Sequence, residues 1–251
     1  MQYILSKTSL PVVTRLARER TLCAFDFDGT LSSIADHPDQ AVMRVRTENL
    51  LNRLALLYPC LIVSGRARAD VLSKLSGVHI AQVIGNHGAE TKLSPGRHRR
   101  VDRWKAALEL ELGPVPGLWV EDKGISLAIH FRQSTQKADA RRRILAATRK
   151  LERARIIGGK QVVNVVGDNV PDKGDAVAAE RDRLNCNWVL YVGDDENDED
   201  AFALGGNMVS VRIGRKLRTH ARYYLRAQEE IDALLELLLR LREPSPPREG
   251  L

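Results

Sequence analysis

Cysteine is scarce in this chain, which has three cysteines among 251 residues. Cys23, Cys60 and Cys186 are far apart and sit in or beside apolar runs, which favours buried free thiols over a disulfide framework or a zinc site. Free thiols are typical of a reducing compartment, so we expect a cytoplasmic protein.

Long uninterrupted apolar runs are also missing. The longest, residues 231–241, is broken by Asp232, Glu236 and Arg240, so it is too short and too charged to span a bilayer. The first residues lack a basic segment followed by an apolar one, so we expect no signal peptide. The sequence therefore predicts no membrane partner.

Aromatic residues make up only 5% of the chain, although its formal net charge is +7 and its pI is near 9.5. The positive charge favours anionic ligands, and phosphorylated metabolites and nucleic acid both qualify. Nucleic-acid surfaces combine basic with aromatic side chains, and that combination is poorly supported here. We expect a solvated arginine-rich surface and no nucleic-acid partner.

Short apolar runs alternate with helical patterns along much of the chain. The runs at residues 22–27, 60–63, 80–84, 188–192 and 208–213 predict strands. Helical patterns cover residues 47–57 and 68–75, and another begins near Asp198. Such alternation implies crossover connections, and it predicts an α/β fold with a doubly wound, Rossmann-like parallel sheet.

The middle of the chain has a different order of predicted elements, in which helix-strand-strand occurs twice. Two strands at residues 118–121 and 126–131 precede a long basic helix at 135–153. A second hairpin then pairs 154–157 with 161–166 across Gly158-Gly159. We predict an inserted αββαββ cap domain at residues 92–168. Residues 1–91 and 169–251 would then form a discontinuous core, with residues 244–251 as a disordered tail.

Asp26-Phe27-Asp28-Gly29-Thr30 follows the first predicted strand. Alternate residues of a strand share a face, so both carboxylates should lie at the carboxyl end of the sheet, where α/β folds bind ligands. Crowded carboxylates repel unless a cation neutralises them, which predicts Mg²⁺. One can then act as nucleophile and the other as acid and base. The alternative is a pair of solvated loop aspartates.

Two further polar residues follow predicted strands or open helices, and each is a weak signal alone. Ser64, before Gly65 and Arg66, could hydrogen-bond a phosphoryl oxygen, or belong to an ordinary loop. Lys173 could neutralise the two aspartates and a transferring phosphoryl group, or be solvated.

The acidic run after the strand at 188–192 is a stronger signal, with six carboxylates within residues 194–200. Like charges repel, so stability explains this density poorly and a metal site explains it well. Asp194 is the expected direct ligand, and Asp198 an indirect or additional one. Acidic capping of a helix N-terminus is the alternative for part of the run.

In this order, the four motifs resemble those of the haloacid dehalogenase superfamily of phosphatases. Asp26 matches the family nucleophile and Asp28 its general acid and base. Ser64 and Lys173 match the second and third motifs, and Asp194 with Asp198 the fourth. The resemblance implies Mg²⁺ held by Asp26, the Asp28 backbone carbonyl and Asp194.

The resemblance narrows to the trehalose-6-phosphate phosphatase family. Gly85-Asn86-His87-Gly88-Ala89-Glu90 is similar to one of its stretches, and residues 121–126 to its cap signature. Glu121, Lys123 and Ser126 are thereby implied as substrate contacts. Where the family often carries a glutamate, this chain has Asn164, which can still hydrogen-bond a sugar hydroxyl but has no charge.

The resemblance implies hydrolysis of trehalose 6-phosphate through an aspartyl phosphate. We expect the protein to be a monomer. A phosphatase of another sugar phosphate, such as a sucrose or glycosylglycerate phosphate, stays open because of Asn164. A non-catalytic sugar-phosphate sensor or nucleic-acid-binding module is the other alternative. Arg66 is expected to reach the phosphate or an acidic neighbour, while His87 is interpreted as structural and His130 as a cap-sheet residue.

Overall fold

The computed structural model describes residues 1–35, 38–75, 77–78, 80–94, 98–159 and 161–243. Within these ranges the chain forms two β-sheets and eight α-helices. The strands are β1 (Gln2–Tyr3), β2 (Thr21–Phe25), β3 (Cys60–Val63), β4 (Gln82–Ile84), β5 (Trp119–Asp122), β6 (Leu127–His130), β7 (Ala154–Gly159), β8 (Val162–Gly167), β9 (Trp188–Gly193), β10 (Met208–Ile213) and β11 (Tyr223–Leu225). The helices are α1 (Leu10–Arg18), α2 (Val45–Leu57), α3 (Arg68–Lys74), α4 (Arg99–Leu112), α5 (Lys137–Thr148), α6 (Lys173–Arg183), α7 (Glu199–Phe202) and α8 (Ile231–Arg242).

The larger sheet has seven parallel strands in the order β1-β11-β10-β9-β2-β3-β4. This confirms the predicted α/β fold with a doubly wound parallel sheet. β2 lies between β9 and β3, with Phe25 opposite Val192 and Ile62. The residues that follow these three strands therefore meet at one edge of the sheet.

The core lies on both faces of this sheet, which is why β2 is apolar at nearly every position. Phe25 packs on one face with side chains from α2 and α8, among them Leu51 and Leu235. Ala24 packs on the opposite face with Val177 of α6. Because both faces of the sheet are covered, polar functional side chains lie where its strands end.

The smaller sheet is antiparallel, in the order β5-β6-β8-β7, and α4 and α5 cover one of its faces. Leu127, Ile129 and Val163 point into that covered face and are almost fully buried. Neighbouring residues of each strand point the other way, as strand alternation requires. The sheet and its helices fall inside the predicted cap of residues 92–168; those exact domain boundaries stay a prediction.

Some local predictions differ from the structure. The second hairpin does not turn at Gly158-Gly159, because β7 continues through Gly159, which pairs with Val162. Gln161, which was predicted to begin the second strand of this hairpin, has a φ of 62° and so takes the left-handed conformation. α5 ends at Thr148, short of the predicted 153. The predicted tail, residues 244–251, lies outside the described residues.

Among the described residues, no helix combines the length and the apolar character that crossing a bilayer requires.

Candidate active site

The first acidic motif turns away from the sheet directly after β2. The backbone amide of Asp26 donates to the carbonyl of Val192 at 2.9 Å, which continues the pairing with β9 by one residue. Gly29 has a φ of 78°, and a Cβ there would collide with the carboxylate of Asp194. The glycine is therefore required both for the turn and for the approach of the two acidic motifs.

A buried ion cluster lies behind this turn. The Nζ of Lys173 donates to Asp26 Oδ1 at 2.9 Å and to Asp198 Oδ1 at 2.7 Å. Lys173 is the first residue of α6, where the side chains of Asp172 and Asp175 form a reciprocal capping box. The cap fixes the start of the helix and with it the direction in which the lysine leaves the backbone.

Asp198 is fully buried, and both of its carboxylate oxygens accept hydrogen bonds. Oδ1 accepts from Lys173 and from the Tyr191 hydroxyl at 2.7 Å, and Oδ2 accepts from the backbone amides of Asp194 and Asp195 at 2.9 Å each. This carboxylate holds the loop that carries Asp194, and it holds Lys173 against Asp26. The geometry thus favours the indirect role of Asp198 over direct ligation of a metal.

Three carboxylates are crowded together in this cluster. Asp26, Asp194 and Asp198 offer oxygens within 4.8 Å of one another, and the ammonium of Lys173 contacts two of them, Asp26 and Asp198. Burial raises the pKa of Asp26 well above its ordinary value; Lys173 opposes this rise, and the charges of Asp198 and Asp194 add to it. Carboxylate oxygens are the donors that Mg²⁺ prefers. The residues present therefore fit a divalent cation.

Asp28 faces away from this cluster, toward Arg66. The guanidinium donates to both carboxylate oxygens of Asp28, at 2.6 and 2.7 Å, and to Asp70 at 2.6 Å. Of the two partners expected for Arg66, the structure supplies the acidic neighbours. Both oxygens of Asp28 are therefore engaged as hydrogen-bond acceptors in this conformation.

The two serines among the predicted site residues lie outside the pocket lining. Ser64 follows β3, and its Oγ accepts the backbone amide of Arg66 at 3.2 Å. The hydroxyl of Ser126 donates to Asn86 Oδ1 at 2.5 Å, which links the smaller sheet to the loop after β4. The structure does not bring either hydroxyl to the pocket surface.

The uncovered face of the smaller sheet carries the remaining predicted residues. Glu121 Oε2 lies 2.8 Å from His130 Nε2, and Lys123 donates to the backbone carbonyl of Gly65 at 2.8 Å. Burial opposes ionisation of Glu121, yet His130 and Lys123 together lower its pKa. The Trp119 ring stacks on His130 with centroids 4.0 Å apart.

The two sheets enclose a pocket of about 300 Å³. Asp26, Asp28 and Asp194 lie on the side of the larger sheet, and Glu121 and Asn164 on the side of the smaller one. The pocket therefore has an acidic wall on the side of the larger sheet and a polar wall on the side of the smaller one.

Several residues of this site were missed by sequence reasoning, namely Trp119, Asp70 and Tyr191. Trp119 alternates with Glu121 and Lys123, so the two-residue period of a strand could have placed it on the same face. No comparable signal marks Asp70 or Tyr191, because their contacts join segments distant in sequence.

Comparisons with known proteins identify sequences similar to this chain. The family model for trehalose-phosphatase matches residues 24–222. The trehalose-phosphate phosphatase of Mycobacterium tuberculosis (strain ATCC 25618 / H37Rv) is 34% identical over 202 residues, which cover 72% of this chain and 50% of that protein. That of Mycobacterium avium (strain 104) is 35% identical over 218 residues, covering 79% and 55%. The chain thus spans about half the length of these relatives.

Solved structures support the fold. The C-terminal domain of the Candida albicans trehalose-6-phosphate phosphatase aligns with a TM-score of 0.78 and 19% identity, covering 92% of this chain and 96% of that one. A trehalose-6-phosphate phosphatase related protein aligns with a TM-score of 0.71 and 24% identity, covering 88% and 97%. On the extent of the sequence match and the fold that accompanies it, the chain belongs to the trehalose-phosphatase family.

Proposed function

We propose that the protein is a Mg²⁺-dependent phosphatase that hydrolyses trehalose 6-phosphate to trehalose and phosphate through an aspartyl-phosphate intermediate. The observation that carries this proposal is the buried Asp26 carboxylate, held by Lys173 at 2.9 Å in a pocket whose opposite wall bears Glu121, His130 and Asn164. Relatives named trehalose-phosphate phosphatase support the substrate.

In this mechanism an oxygen of Asp26 attacks phosphorus in line. One P–O bond forms as the bond to the sugar oxygen breaks. Lys173 favours the ionised form of Asp26 and stabilises the charge on the phosphoryl oxygens. Asp26, Asp194 and the backbone carbonyl of Asp28 would hold Mg²⁺, which supplies further positive charge to the phosphoryl group when bound. Such reactions depend almost wholly on positioning and electrostatic stabilisation.

The proton needed by the leaving sugar oxygen is assigned to Asp28. In the conformation described, both oxygens of Asp28 accept hydrogen bonds from Arg66. The acid role therefore requires Asp28 to give up one of these bonds and take a proton before the sugar leaves. It would then accept a proton from the water that hydrolyses the aspartyl phosphate, which releases Asp26 as a carboxylate and returns Asp28 to its protonated form.

Recognition of the sugar is assigned to the smaller sheet. Glu121, Lys123 and Asn164 present a carboxylate, an ammonium and an amide, and the half-exposed ring of Trp119 adds an apolar surface. Such a mixture suits a disaccharide, which has many hydroxyls and apolar ring faces. Lys123 also contacts the backbone of Gly65, so closure of this sheet over the pocket would exclude water from the intermediate.

We propose a monomer as the active form. The cytoplasm suits its three buried free cysteines. A phosphatase of another sugar phosphate remains the second candidate because Asn164, buried in the recognition wall, is uncharged. The complete set of acidic and basic residues around Asp26 disfavours a non-catalytic sensor.

The test is phosphate release from trehalose 6-phosphate, sucrose 6-phosphate, glucose 6-phosphate and p-nitrophenyl phosphate, with Mg²⁺ and with EDTA. We expect metal-dependent activity with a strong preference for trehalose 6-phosphate. Metal-dependent preference for another sugar phosphate would retain the chemistry and reject the substrate. Absence of activity on all four would reject the enzyme.

A further inference from the structure

His87 lies in a strained loop between β4 and the pocket. Asn86 and His87 have φ values of 50° and 59°, in the left-handed region that side chains with a Cβ rarely adopt. Backbone hydrogen bonds hold both in place, from the Asn86 amide to Arg66 O at 2.7 Å and from the His87 amide to Ser64 O at 2.9 Å. Strain of this kind persists only where the surrounding structure enforces it, and it clusters at functional sites.

This backbone places the His87 imidazole in the pocket wall. The side chain is buried, 4% exposed, and its ring lies directly over the α-carbon of Gly65, where a Cβ would fall 2.5 Å from the ring. Neither ring nitrogen forms a hydrogen bond of normal geometry with any residue that the structure describes. A buried nitrogen left in that state is costly, so the two nitrogens point to a ligand.

The charge of the imidazole limits what that ligand can be. Burial lowers the pKa of His87 well below its ordinary value, and the nearby charges of Lys173 and Lys123 lower it further. A neutral imidazole has one donor and one acceptor nitrogen. A phosphate oxygen can only accept, whereas a hydroxyl both donates and accepts, so the neutral ring matches a hydroxyl.

Asn164 approaches the same imidazole from the opposite sheet. It lies on β8 and is buried. Its amide is close enough to His87 to act on the pKa of the ring, in the direction opposite to the larger effects of burial and the lysines. The amide likewise offers one acceptor and two donor hydrogens. Two uncharged side chains with both functions thus meet where the two sheets face each other.

We propose that His87 and Asn164 form a subsite that binds one hydroxyl group of the substrate's sugar. This rests on the proposed function, since it requires a sugar phosphate as substrate. The subsite joins a core residue to a cap residue, so a bound hydroxyl would link the two sheets. Asn164 then binds the sugar hydroxyl together with His87, so its lack of charge does not mean that a substrate contact is missing.

The first test replaces the nitrogens but keeps a flat ring. His87→Phe should raise KM for trehalose 6-phosphate about tenfold, the usual effect of leaving a buried partner unpaired, and change KM for p-nitrophenyl phosphate little. Asn tolerates the left-handed backbone and keeps a donor and an acceptor, so His87→Asn should restore part of the loss. The matched control is His220→Phe, at an exposed histidine outside the pocket lining. Equal changes on both substrates would overturn the subsite.

The second test identifies the hydroxyl. The substrates are trehalose 6-phosphates that each lack one hydroxyl. With the wild type, one of these analogues should have a kcat/KM about tenfold lower than that of the parent substrate. With His87→Phe or Asn164→Ala, the same analogue and the parent substrate should have about the same kcat/KM. Equal losses of kcat/KM across all analogues and variants would overturn the proposal. Variants that fail to fold are recognised by their thermal midpoint.

Failure of the proposed function has a different signature. If the wild type prefers another sugar phosphate, the same series on that sugar still decides the subsite. If the wild type hydrolyses p-nitrophenyl phosphate but no sugar phosphate, both proposals fall.

Discussion

Replacing Asp198 with asparagine should destabilise the protein strongly. In the structure the carboxylate accepts four hydrogen bonds, from Lys173, Tyr191 and the amides of Asp194 and Asp195. Asparagine offers a single oxygen, so its NH₂ group must face either the Lys173 and Tyr191 donors or the two amides. In either orientation donor meets donor in a fully buried position.

The size of the effect follows from these contacts. Removing one partner of a buried ion pair typically costs about 3–5 kcal/mol. Lys173 keeps Asp26 as a partner at 2.9 Å, so we expect a value near the lower end, about 3 kcal/mol. In a chain of this length, each kcal/mol lowers the thermal midpoint by about 2–4 °C. Asp198→Asn should therefore melt about 6–12 °C below the wild type.

Thermal and urea denaturation in EDTA measure this effect without a bound metal. The matched control is Glu196→Gln, in the same acidic run, because Glu196 is exposed and pairs with Lys216 on the surface. Exposed pairs contribute little, so this variant should stay within about 0.5 kcal/mol of the wild type. If both variants lose the same small amount, the four-bond role of Asp198 is wrong. If Asp198→Asn loses stability only in the presence of Mg²⁺, it is a direct ligand instead.

Three further variants test individual roles. Asp26→Asn should abolish turnover without loss of stability, since burial disfavours the charge that the substitution removes. Substantial turnover by this variant would reject Asp26 as the nucleophile. Asp28→Asn should slow hydrolysis of trehalose 6-phosphate more than that of an aryl phosphate, whose leaving group needs less protonation; equal slowing would argue against the acid role. Glu121→Ala should raise KM for trehalose 6-phosphate and leave KM for p-nitrophenyl phosphate unchanged. The control is Leu110→Ala, at an exposed residue of α4, which should change neither value. If Glu121→Ala impairs hydrolysis of both substrates equally, Glu121 has a structural role.

The parallel sheet could be predicted because its signal is local. The apolar run of β3 was predicted with its observed bounds, Cys60–Val63. Asp26 and Asp194 each follow an apolar run, which predicted that both lie where a strand ends; that the two strands are neighbours is seen only in the sheet. α1 was missed, although it opens with a proline near its N-terminus, a position that favours helix starts.

The rest depended on contacts and backbone angles that a sequence does not display. The acidic run left Asp198 as either an indirect or an additional ligand, and only its four hydrogen bonds favour the former. His87 read as a structural loop residue because nothing local shows that its backbone is left-handed or that its ring faces the pocket. Gly158-Gly159 was a reasonable turn by composition, but cross-strand pairing extended β7 through it.

The most direct test of the central claim is to look for the phosphoryl group on the protein during turnover of trehalose 6-phosphate. Wild-type protein and Asp26→Asn, each with Mg²⁺, would be quenched in acid within milliseconds to seconds of mixing, digested, and analysed by mass spectrometry. The account predicts a phosphoryl group on the wild-type peptide that contains Asp26, and none on the variant. A phosphoryl group on another residue, or hydrolysis of the substrate at a normal rate by Asp26→Asn, would contradict it.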